Sequence, residues 1–73
     1  MLLSQHYIPT VTPLSNGSYK ASFRYFDEKG NMAVPLCESI QTSSRAAITE
    51  SRVRLEEWLM TQKEMGNDLP AIN

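Results

Sequence analysis

Two turn signals bracket one proline-free, alternating run, and this arrangement constrains the fold more than any other feature of the chain. The first signal is Ser15-Asn16-Gly17-Ser18 and the second is Asp27-Glu28-Lys29-Gly30-Asn31. Asn-Gly between extended runs is the strongest short hairpin signal, because both residues accept the left-handed backbone of a tight turn. The second signal reads as a type I turn with Gly30 at the left-handed position. Between them Tyr19, Ala21, Phe23 and Tyr25 fall on one side of an extended chain. Ser18, Lys20, Ser22 and Arg24 fall on the other, and Phe26 ends the run.

The flanking runs are residues 6–14, which contain Pro9 and Pro13, and residues 32–40, which contain Pro35. In the second, Met32, Val34, Leu36 and Ile40 are expected to face one way. Proline cannot donate to a ladder, so within sheets it is confined to edges and bulges. The proline-free run 18–26 therefore belongs in the centre of a three-stranded antiparallel meander.

From Thr42 to Gly66 the periodicity changes to helical. At about 100° per residue, Ala47, Ile48, Ser51, Leu55, Trp58, Leu59, Gln62 and Met65 share one arc, opposite Arg45, Arg52, Glu56 and Lys63. Thr42, Ser43 and Ser44 suit an N-cap, Gly66 suits the position just past the end, and Pro70 blocks a restart. Glu50 and Arg54 form an i,i+4 pair in the favourable order. A helix of about 33 Å overhangs a typical strand, so its last turns are expected to project beyond the sheet. The expected architecture is α+β: a β-β-β-α meander with one long C-terminal amphipathic helix on one sheet face. Residues 1–66 form the single domain and 67–73 a flexible C-terminal tail.

With 73 residues there is room for one small core. The single Cys37 leaves no internal disulfide and suits a reducing compartment. Met1-Leu2-Leu3 is too short for a signal peptide, and no apolar run reaches the length of a membrane span. A cytoplasmic protein without a membrane partner is the expectation. Seven basic and eight acidic residues are interspersed, for a net charge of −1. That balance disfavours a general nucleic-acid binder, whose affinity comes largely from phosphate contacts.

Few residues suit catalysis. Cys37 and His6 form a candidate thiol–imidazole pair, but they fall on the two outer strands with the central one between them and no third group to orient the imidazole. The plainer reading makes Cys37 a half-buried strand residue and His6 a surface residue. One His and one Cys cannot complete a zinc site. Glu56 and Glu57 diverge on a helix and read as a solvated pair. Without a phosphate loop, dinucleotide fingerprint or nucleophile elbow, neither an enzyme nor a cofactor is expected, and no small-molecule substrate is evident.

Two surfaces remain. The open sheet face presents Lys20, Ser22 and Arg24, two cations around a hydroxyl, which suit either phosphate contact or an ordinary solvated face. Ala46, Val53 and Met60 recur every seven residues on a helix line outside the core arc, flanked by Glu50, Glu57 and Glu64. That line reads either as a partner seam or as surface that a wrapping sheet buries. Arg45, Arg52 and Arg54 could extend a basic strip near Lys20 and Arg24. The interleaved Glu50, Glu56 and Glu57 make neutralising helix pairs the blander account.

Two resemblances meet at these residues. Tyr19-Lys20-Ala21-Ser22-Phe23 followed by Ser43, Ala47, Ile48, Ser51, Leu55, Trp58 and Leu59 is similar to the pattern of HicB-type antitoxin domains. There a Tyr-x-Ala-x-Phe strand precedes a helix ending in Trp-Leu. The family's Pro-Asp-Leu-Pro-Gly-Cys loop and appended DNA-binding segment are missing. The β-β-β-α order also looks like the arm-binding domains of tyrosine recombinases, which read DNA with the sheet. That resemblance implies roles for Lys20 and Arg24, although the basic excess is absent. The residues favour a small, non-enzymatic protein-interaction or regulatory module, self-associating or serving a protein partner. The alternative is a nucleic-acid-binding sheet face.

Overall fold

A computed structural model of the protein describes residues 6–26, 29, 31–67, 69 and 70, with backbone alone at 32–34. Strands β1 (Tyr7–Pro13), β2 (Tyr19–Phe26) and β3 (Met32–Gln41) form an antiparallel sheet in the order β1-β2-β3, followed by helix α1 (Ser44–Glu64). The expected α+β meander is what forms, with β2 central and all three strand prolines on the outer strands.

The first turn closes through Gly17, which donates to the Leu14 carbonyl at 3.2 Å while Leu14 donates to Ser18 at 2.8 Å. Gly17 takes φ +84° and the Asn16 side chain accepts from the Ser18 amide. The type I turn expected at Asp27–Asn31 lies outside the described residues, apart from Lys29 and Asn31. Helix α1 is capped at both ends from its own sequence. The Ser43 hydroxyl accepts from the Ala46 amide at 3.1 Å. At the other end Asn67 donates to Gln62 and Gly66 to Lys63, with Gly66 at φ +88°, which is a complete Schellman motif.

The helix covers the sheet face that carries Tyr7, Ala21 and Phe23. Tyr7, Phe23 and the fully buried Leu55 form the centre of the core, with Tyr25, Leu36, Cys37, Trp58 and Leu59 packed around it. Ala47 and Ser51 are buried as the helical arc requires, whereas Met65 is exposed. Met65 is the C-cap residue, one position past the end of α1. Leu69 and Pro70, in the stretch expected to be a free tail, are half-buried, and the Tyr7 hydroxyl donates to the Pro70 carbonyl at 2.7 Å.

Strand β3 departs from a regular ladder twice. Its register against β2 shifts between Ala21 and Phe23 and again between Arg24 and Phe26. Each shift inserts one extra β3 residue, as a β-bulge does. Because side chains alternate with period two, an extra residue exchanges the faces beyond it. Leu36 therefore opposes Phe23 on the helix side, while Ile40 opposes Lys20 on the open side and is 58% exposed. The expectation that Ile40 and Leu36 face the same way is corrected by this bulge. The side chains of Met32 and Val34 lie outside what is described.

The bulge is anchored to the helix. Cys37 adopts φ +57°, a conformation uncommon for any residue but glycine. The Cys37 carbonyl accepts from the Ser51 hydroxyl at 2.5 Å, and the neighbouring Glu38 carbonyl accepts from Arg54 at 2.8 Å. Two backbone acceptors displaced from the ladder thus find partners on α1, as backbone carbonyls without ladder partners require.

Candidate functional site

The open sheet face holds Lys20, Ser22 and Arg24 where the alternation places them. Lys20 Nζ lies 3.6 Å from Glu38, which the bulge brings beside it. Ser22 is only 7% exposed, and its hydroxyl lies 3.0 Å from that of Thr10, its partner across the ladder. Arg24 is half-buried and engaged with neighbouring groups. One cation of this face is thus paired and its central hydroxyl is buried. Ile40 was not legible as a member of this face, since only the bulge turns it outward.

His6 and Cys37 sit at opposite sides of the sheet, with β2 between them. The His6 Nδ1 lies 3.2 Å from the Phe26 carbonyl and its ring stacks on Tyr25. Burial pushes the Cys37 thiol above its ordinary value, against a smaller downward pull from the Arg54 guanidinium. That environment is the reverse of the one that activates a cysteine nucleophile. Tyr7 is likewise pushed up, first by burial and then by Tyr25 beside it. Among the described residues, no cluster of three or more His, Cys, Asp or Glu side chains has the spacing to hold a metal ion. No described helix is long and apolar enough to cross a membrane.

The helix surface differs. Ala46, Val53 and Met60 are all exposed, Val53 at 43% and Met60 at 68%. They project about 180° from the buried Ser51–Leu55 side, so the sheet does not wrap around to them. Glu50, Glu57 and Glu64 run along one flank of this line, and Arg45 and Arg52 along the other. Of the three arginines considered as a basic strip, Arg54 is the one with an acidic partner among the described residues. It turns to Glu50, at 3.5 Å, and to the Glu38 carbonyl. The surface offers exposed apolar side chains between two charged margins.

Neither resemblance noted in the sequence is accompanied by a match: no model of a known family, no curated protein and no solved structure matches the chain.

Proposed function

We propose that this chain is a small, non-enzymatic protein-interaction module that engages a protein partner through the outer face of α1, along Ala46, Val53 and Met60. The observation that carries this reading is the exposure of Val53 and Met60 on the line directly opposite the core. A helix laid on a sheet has no folding use for apolar residues there, and charged or polar residues usually occupy it. Contiguous apolar surface facing solvent is the kind of surface that protein contacts cover.

The test separates binding from folding. In the double variant Val53→Asp/Met60→Lys, stability in urea should stay within about 0.5 kcal/mol of wild type, as for surface positions. Any association that the wild type shows by sedimentation over a wide concentration range should be lost. A large loss of stability would make these residues part of the core, and unchanged association would place the contact elsewhere. The sheet-face reading ranks second, because Lys20 is paired with Glu38 and Ser22 is buried. Salt-sensitive retention of DNA that Arg24→Ala weakens would reverse that ranking.

A further inference from the structure

The margins of the outer helix line are matched to a second copy of the same line. Taking Ala46, Val53 and Met60 as the a positions of a heptad, Arg45 and Arg52 fall at g, one residue before each a position. Glu50, Glu57 and Glu64 fall at e, four residues after each. The two charge types therefore occupy opposite margins, which separates Arg52 from Glu57 on one helix. Among the described residues Arg45, Arg52, Glu57 and Glu64 make no side-chain ion pair, and Glu50 alone is engaged, with Arg54. When two helices pair in parallel, each g position faces the e position five residues further on in its neighbour. Arg45 then meets Glu50 of the partner subunit, and Arg52 meets Glu57 of the partner subunit. In the antiparallel arrangement e faces e and g faces g, so like charges meet.

Resting on the interaction reading above, we infer that the occupant of this surface is a second copy of the chain, its α1 parallel to the first about a two-fold axis along the helices. The sheet lies on the far side of each helix, so the pair stacks as sheet, helix, helix, sheet with neither sheet in the way. The second row of the seam, Thr49, Glu56 and Lys63, is polar. Val53 and Met60 supply the apolar contact, and Glu56 confronts Glu56 of the partner subunit. A seam of this kind falls short of the ~1,200 Å² typical of stable interfaces, so the dimer is weak and concentration-dependent.

The experiment is sedimentation equilibrium at low ionic strength on the full chain and five variants. Arg52→Glu and Glu57→Arg should each weaken the dimer by about tenfold, since each replaces two attractive pairs with two repulsive ones. Arg52→Glu/Glu57→Arg should restore it, because the swap preserves complementarity only in the parallel register. Glu56→Leu should tighten it by about tenfold or more, as an apolar residue enters the seam. The fifth variant is Val53→Asp/Met60→Lys, which should abolish it. A monomer at every concentration, for Glu56→Leu as well as wild type, overturns the second copy as occupant and leaves the line to a different chain. A dimer that the Val53/Met60 variant disrupts but the charge swap does not restore overturns the parallel register. A dimer indifferent to the Val53/Met60 variant overturns both this inference and the reading beneath it.

Discussion

Removing the Ser51 hydroxyl tests how the irregular strand is held. Ser51 is fully buried in the middle of α1 and donates to the Cys37 carbonyl at the bulge. Ser51→Ala deletes the donor and leaves that acceptor without its partner, which costs about 1–3 kcal/mol. Alanine is the better helix former by about 0.5 kcal/mol, which offsets part of the loss. The net destabilisation is about 1.5 kcal/mol. A domain of this size loses roughly 4–8 °C of melting temperature per kcal/mol, so the variant should melt about 6–12 °C below wild type. Thr49→Ala provides the control: it makes a similar propensity change at an exposed position of the same helix. Thermal unfolding followed by circular dichroism reads both. A Ser51→Ala midpoint within about 2 °C of wild type, or an equal loss from Thr49→Ala, would refute the claim that this hydrogen bond holds the bulge.

Position 37 should prefer glycine to valine by about 1–2 kcal/mol in urea unfolding, although valine is the better strand former, because φ is +57° there; the reverse order would contradict the bulge geometry. Tyr7→Phe should cost about 0.5–1.5 kcal/mol by losing the bond to Pro70. Deleting residues 67–73 from the Tyr7→Phe variant should remove less stability than deleting them from wild type, a non-additivity that urea titrations can resolve. Cys37 and Tyr7 both have raised values in the folded state, so between the unfolded and folded values the unfolded chain has lost protons that the folded one keeps. Their contribution is complete below the ordinary values of 9.0 and 10.0 and is lost as pH rises through the folded ones, so stability measured against pH should decline on the alkaline side. Tyr7→Phe should flatten the upper part of that decline. Gly66→Ala should cost about 1 kcal/mol by urea unfolding. An added Cβ meets nothing within 4 Å, so the whole effect is the left-handed backbone.

The parts of this fold written as local chemistry were legible. Asn16-Gly17 marked the first hairpin, the distribution of Pro9, Pro13 and Pro35 put β2 in the centre, and Ser43 and Gly66 delimited the helix. Each of these acts within a few residues of itself, so the sequence displays both the cause and the effect. The bulges of β3 were not legible. Nothing in Leu36-Cys37-Glu38 prefers a left-handed residue, and Cys37 is held there by Ser51, fourteen positions away. Every consequence of the bulge shared that obscurity: Ile40 turning outward and Glu38 reaching Lys20. The candidate surfaces divided in the same way. Ala46, Val53 and Met60 followed from helical period alone, whereas the pairing of Lys20 with Glu38 and the burial of Ser22 depended on cross-strand partners. The return of Pro70 to Tyr7 joins residues near opposite ends of the chain and left no local mark.

The two bulges and the outer-strand prolines also bear on how this protein behaves when crowded. An unprotected strand edge is a template on which further chains add by backbone hydrogen bonding, with little regard for sequence, and such growth has no natural end. Here β1 carries Pro9 and Pro13, and β3 carries Pro35 between two interruptions of its register. Neither rim offers a long, even row of donors and acceptors. Growth into fibres by strand addition is thereby discouraged at both margins of a sheet only three strands wide. Side-chain contacts, by contrast, discriminate among neighbours and need not propagate.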